Sequence, residues 1–117
     1  MKESVLLEKS LAFALRIVKL SRYLQQEHKE YILSKQVVRS GTAIGALIRE
    51  AQYAQSKADF LSKLTIALKE ANETKYWLTI LVESSYITQT MYQSIEPDAE
   101  ELLKLLIAST KTLKQGE

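Results

Sequence analysis

The 117-residue chain has no cysteine and a single histidine, His28, which excludes disulfides, thiolate metal sites, thiol nucleophiles and any multi-histidine metal centre. Three Gly and one Pro argue against an all-β or Rossmann-type fold, both of which need frequent turns. The net charge of +2 is unevenly spread: residues 1–58 carry ten Lys/Arg and five Asp/Glu (+5), residues 59–117 six and nine (−3). Such an asymmetry can orient an anionic partner.

The periodicity is helical nearly throughout. The first helix is predicted over about 4–26. Leu6, Phe13, Ile17, Leu20 and Leu24 fall at heptad spacings, and Leu7, Leu11, Ala14 and Val18 form a second stripe beside them. Two adjacent stripes make an apolar face wider than one helix seam needs. The opening residues reach a charge too soon for the apolar region of a signal peptide. No apolar run approaches the ~18 residues of a membrane span. A cytoplasmic protein without a membrane role is therefore expected. The first connection is placed at Gln25–Glu30, which is polar and has no apolar period.

The second helix is predicted from an N-cap at Ser34 to about Ala54, with Val37, Gly41, Ile44, Ile48 and Ala51 facing inward. Gly41, Ala43, Gly45 and Ala46 make one side unusually small. Glycine inside a helix costs ~1 kcal/mol relative to alanine, so two of them imply a close approach by a neighbour. Gly41 and Gly45 are accordingly read as helix-packing residues. Ser56 and Asp59 resemble a capping box and open a third helix over about 57–84. Its stripe is Phe60, Leu64, Ala67, Ala71, Thr74, Leu78 and Leu81. Ile66, Trp77 and Ile80 lie off that stripe. Surplus apolar surface on the first and third helices is either a thicker core or a subunit interface, and Trp77 and Ile80 are the candidate interface residues. Tyr86–Ile95 is read as a short turn of helix or an irregular connection. Pro97 suits the first position of a fourth helix, with Asp98, Glu100 and Glu101 at its positive end and Lys111, Lys114 and Gly116 marking its close. Long helices with short connections favour antiparallel neighbours, so the expected fold is one all-α domain, an up-down-up-down four-helix bundle.

Enzyme signals are poor. Glu70 and Glu73 sit one turn apart, but a di-metal bundle site also needs Glu-x-x-His motifs, and none exists. They read as a solvated acidic strip. His28 has no acid–nucleophile set around it in sequence. Gly41 and Gly45 do not form a phosphate loop, having no following Gly-Lys-Ser/Thr. No enzyme, cofactor or small-molecule substrate is expected. The remaining signal is cationic: Lys9, Arg16, Lys19 and Arg22 on the first helix, then Lys35, Arg39 and Arg49. Cationic stripes neutralise phosphates without reading sequence. Arg16, Lys19, Arg22, Arg39 and Arg49 are the candidate nucleic-acid contacts, with Tyr23 and Tyr31 placed to stack on bases.

The stretch from Gln36 to Ala51 (QVVRSGTAIGALIREA), then Gln55–Phe60 (QSKADF) and Lys63–Leu78 (KLTIALKEANETKYWL), resembles the bacterial four-helix-bundle proteins encoded by intervening sequences of 23S ribosomal RNA genes, often labelled ribosomal protein S23. The resemblance spans almost the whole chain. It implies the same bundle fold and a homo-oligomer, most simply a homopentamer. A more distantly similar branch is the accessory variability determinant of diversity-generating retroelements, which implies structured RNA or a nucleic-acid enzyme as partner. Ala43 and Leu47 stand where the family usually has Ser and Asn, and Arg49 where an acidic residue is common. The reading is a non-enzymatic homo-oligomer that binds structured RNA, nucleic acid or a nucleic-acid enzyme through basic helix faces. The alternative is an oligomeric protein–protein interaction scaffold with no nucleic-acid role.

Overall fold

A computed structural model describes residues 2–115. Four helices follow one another: α1 Lys2–His28, α2 Leu33–Ala51, α3 Lys57–Glu83 and α4 Gln89–Gln115. Consecutive helices pack side by side, and α1 meets α4 to close the ring, giving a four-helix bundle of 47 × 21 × 20 Å. The α1–α4 seam is the loosest of the four. The core is the set of stripes read from the sequence. Phe13, Ile17 and Leu24 of α1 meet Val37, Ile44 and Ile48 of α2, Leu64, Leu78 and Leu81 of α3, and Leu102 and Leu106 of α4.

Two polar groups in this core are satisfied. The Thr74 hydroxyl donates to Glu70 O at 2.8 Å, and the Thr74 and Ser40 hydroxyl oxygens are hydrogen-bonded to each other at 2.9 Å. Both residues are fully buried, where an unpaired hydroxyl would be costly.

The helix boundaries depart from the expectation at four places. Gln25–His28 stay helical and shorten the first connection to residues 29–32, because His28 finds ring partners in Tyr23 and Tyr86. Ser34 is not the cap of α2. The carboxylate of Glu30 accepts from the backbone N–H groups of Ile32, Leu33 and Ser34 at 3.2, 2.9 and 2.8 Å, so one side chain serves three of the helix's otherwise unpaired first donors. Lys29, at φ 53°, turns the chain so that the Glu30 N–H donates back to Leu24 O at 3.1 Å while its carboxylate points forward into the start of α2. Ser34 is buried, and its hydroxyl donates to Glu30 O. At the other end α2 stops at Ala51. Gln52, Tyr53 and Ala54 tighten into bonds to the carbonyls of Arg49, Glu50 and Ala51.

The largest departure is α4. It begins at Gln89, not Pro97, and the Thr88 hydroxyl accepts from Met91 N at 3.1 Å as its cap. Pro97 lies inside the helix. It is exposed, as is Gln93 one turn earlier. The carbonyl that proline leaves without a helical donor therefore belongs to a water-facing turn. Asp98, Glu100 and Glu101 then serve neighbouring helices rather than a helix start: Asp98 pairs with Arg16, Glu101 with Lys9, and Glu100 with Lys75. The third helix agrees closely with its reading. Ser56 Oγ accepts from Asp59 N at 3.0 Å, and Asp59 accepts in return from Gln55 N at 3.1 Å. Gly116 lies outside the described residues.

Candidate nucleic-acid interface

The sequence assigned the first helix both a basic and an apolar surplus. The bundle sets a groove on each flank of that helix, and of these residues Leu7, Leu11 and Ala14 line one and Arg16 and Lys19 the other. On the α2 side, Leu7, Leu11 and Ala14 with Gly45, Ala46 and Tyr53 line an open groove of about 530 Å³. Leu11 and Leu15 are 58% and 59% exposed, and Tyr53 is 85% exposed. The helices come close here because α2 lacks side chains at two positions. A Cβ added at Gly41 would lie 2.8 Å from Ile17 Cγ2, and one at Gly45 would lie 3.2 Å from Ser10 Oγ. Gly41 thus abuts the core, while Gly45 sits at the edge of the groove.

On the α4 side a second groove, about 570 Å³, runs between the helices. Leu20, Ile87, Met91 and Ile95 give it an apolar floor. Tyr23 and Lys19 line it from α1, and Thr90 and Ser94 from α4. One end is closed by Arg16, whose guanidinium donates to Asp98 Oδ2 at 2.7 Å, Ser94 Oγ at 2.7 Å and Ser94 O at 2.9 Å. Towards the other end Tyr23, His28 and Tyr86 form an edge-to-face run with centroids 5.4 and 5.6 Å apart. The Tyr23 hydroxyl and His28 Nε2 are 3.2 Å apart.

The five candidate cations divide by partner. Arg16 is held across the α1–α4 seam. Arg39 is held by Glu70 at 3.4 Å and by Glu73, so those two carboxylates are not a free acidic strip. They hold α2 to α3. Lys19, Arg22 and Arg49 have no ion-pair partner among the described residues. Lys19 lies in the α1–α4 groove and Arg49 in the α1–α2 groove. The set is therefore not one patch. Trp77 is half-buried against the protein's own core, and its indole N–H donates to Glu73 at 2.9 Å. Ile80 is also half-buried. The more exposed apolar side chains of this region are Tyr76 and Ile66.

Sequence reasoning missed Thr90, Met91 and Ser94, because their segment reads as no more than a short turn of helix or an irregular connection, not as the opening of α4. A signal was present: Ile87, Met91, Ile95, Ala99, Leu102 and Leu106 keep one helical stripe straight across Pro97.

The ionic groups whose proton affinity is shifted lie away from both grooves, between α3 and α4. Lys75 meets Glu96 at 3.6 Å and Glu100. The Glu100 hydrogen bond, working against partial burial, raises Lys75 above the usual lysine range. The same bond from Lys75 holds the Glu100 carboxyl below the usual carboxylate range. Among the described residues no group of three or more His, Asp or Glu side chains could hold a metal ion, and no helix is long and apolar enough to cross a membrane.

With this geometry in place, comparison with known proteins assigns the family. The model for the 23S rRNA-intervening sequence protein matches residues 2–108. The chain belongs to that family. A crystal structure of a protein with unknown function from the S23 ribosomal protein family of Bacteroides thetaiotaomicron superposes with a TM-score of 0.93 at 58% identity, covering 95% of this chain and 99% of that chain. No curated protein matches the chain. The family resemblance and the bundle expected from the sequence are thus both found.

Proposed function

We propose that this member of the 23S rRNA-intervening sequence protein family is a non-enzymatic homo-oligomer that binds structured RNA through the outer face of α1. One observation carries the reading. The carboxylates of α3 and α4 take up Lys9, Arg16, Arg39 and Lys75, yet Lys19 and Arg22 of α1 have no ion-pair partner among the described residues. Unpaired surface cations are available to phosphates without first breaking an internal bond. The family's name, which refers to 23S rRNA, supports RNA as the anion. The exposed Leu11 and Tyr53 of the α1–α2 groove support self-association, since exposed apolar surface at a groove commonly marks an interface. A ring of five subunits would repeat a weak cationic site, and linked weak sites act at high effective concentration.

Gel shifts with a structured RNA across a salt series test the reading. Binding must weaken with salt, the slope of log affinity against log salt changing by about 0.7–0.9 per phosphate contact. Lys19→Glu combined with Arg22→Glu should abolish the shift, while Lys104→Glu should leave it. Absence of binding at low salt refutes the RNA reading. The apolar α1–α2 groove would then favour the second reading, an oligomeric scaffold for another protein. Light scattering at micromolar concentration tests assembly separately, and a monomer mass would refute it.

A further inference from the structure

We infer that the α1–α4 groove receives the base of an unpaired nucleotide, so that the RNA face recognises a loop or bulge rather than a continuous duplex. This rests on the RNA reading above and adds the feature of the RNA that is read. Three observations on the groove carry it.

First, its floor is apolar although the groove is open: Leu20, Ile87 and Ile95 are core residues reached from outside, and Met91 is half-buried beside them. A base stacked within a duplex cannot reach such a floor, whereas a base splayed out of a single strand presents both faces and one edge. Second, the wall contributed by α1 is the Tyr23 ring, and aromatic side chains are sequence-tolerant partners for unstacked bases. Methionine opposite is a polarisable surface that adapts to flat rings. Third, the charge is on the rim and of one sign. Lys19 has no ion-pair partner among the described residues, no carboxylate lines the groove, and Asp98 beyond its closed end is bound by Arg16. A phosphate therefore meets a cation at the rim and no carboxylate in the lining. The Thr90 hydroxyl, exposed and without a side-chain donor or acceptor role inside the bundle, lies on the same rim to bond a base edge or a ribose hydroxyl.

The Arg16 clamp has a positioning role here. By tying α1 to Ser94 and Asp98 it fixes the width of a seam that is otherwise the loosest in the bundle.

Two labelled RNAs test the proposal in fluorescence anisotropy with the intact oligomer: a hairpin with a uridine loop, and a blunt duplex of the same stem. The hairpin should bind at least about tenfold more tightly, the scale of one base–aromatic stacking contact. Met91→Glu should remove that preference by placing charge on the floor. Thr90→Glu, at an exposed position that folding does not need, should do the same, so a folding defect in one variant leaves the other as a test. Lys104→Glu, on α4 outside both grooves, should keep the preference. Equal binding of hairpin and duplex, or full preference in Thr90→Glu, overturns the groove assignment and leaves the RNA reading standing. No binding of either RNA at low salt overturns both. Binding of a poly-glutamate peptide that competes with the hairpin and is lost in Thr90→Glu would overturn the nucleotide assignment in favour of an acidic protein segment.

Discussion

The two flanks of α1 join their neighbours by opposite means. Against α2 the helix is drawn in by absence: Gly41 gives up a side chain so that Ile17 can occupy its place. Against α4 it is held by addition, through a guanidinium that spans to Asp98 and Ser94. The first kind of contact excludes water and depends on shape. The second tolerates a gap, and the gap is the basic groove. A bundle that packed all four seams in the first way would have no such groove on α1.

The sharpest way to break this contrast is to fill the close seam. Gly41→Leu forces atoms into space held by three Ile17 carbons within 3.2 Å of an added Cβ. We expect a loss of about 3 kcal/mol or more in denaturant titration, at or beyond the usual range for overpacking. Gly41→Ala should still destabilise, since strain against Ile17 outweighs the ~1 kcal/mol of helix propensity that alanine brings. Gly45→Ala meets only Ser10 Oγ at 3.2 Å, and its strain and propensity terms should cancel to within ~1 kcal/mol. If the two alanine variants are equally stable, the seam is not closed by Gly41.

The next effect concerns the turn that aims α2 at α1. Glu30→Ala removes the acceptor for three backbone donors, one of them on buried Ser34. Cap removal commonly costs about 0.5–2 kcal/mol, and the upper end is expected here. Ser34→Ala would cost as much only if Ser34 were the cap, so the pair of variants separates the two assignments.

These residues also show what was legible in the sequence. The capping of α3 was readable because Ser56 and Asp59 lie three residues apart and satisfy each other's neighbourhood locally. The cap of α2 was not, because it depends on a left-handed Lys29 that no composition rule demands. Pro97 misled for a related reason. A proline followed by acids is the usual start of a helix, but on an exposed turn proline can be accommodated, and here the acids answer to Arg16, Lys75 and Lys9 on other helices. Apolar stripes are one-dimensional and survive in the sequence. Ion pairs between helices are set by azimuth and register, which only the packed bundle supplies. The same limit applied to the cations. Their helices were readable, but the division of Arg16 and Arg39 from Lys19, Arg22 and Arg49 was not.

On the open seam the expected effect is smaller. Asp98→Ala releases Arg16 from a pair in which both side chains are nearly half exposed, and such pairs are worth ~0–1 kcal/mol. The change in stability should be no larger than that. A loss approaching that of Gly41→Leu would mean that the two seams are closed by equally rigid contacts, contrary to the contrast drawn here.

The smallest effect is a pH dependence, and it comes from neither flank of α1 but from the α3–α4 seam. Glu100 is held below the usual carboxylate range by its bond from Lys75. Its contribution to stability is therefore present above the unfolded-state value, near pH 4, and is lost as pH falls through the lowered folded value. Lys75 is held above the usual lysine range by the same bond. Its contribution is complete below about pH 10 and is lost as pH rises through the raised folded value. Between those limits the pair should contribute a constant amount. Lys75→Met removes the cation and keeps the length of the side chain. In that variant the acid limb of the stability–pH curve should be shallower than in the wild type, because the largest cause of Glu100's lowered proton affinity is gone and only Lys104 remains beside it. Thermal melts taken from pH 7 downward measure this. An unchanged acid limb would show that the Lys75–Glu100 pair is too well solvated to tie α3 to α4, and would leave that seam to Leu78, Leu81, Leu102 and Leu106 alone.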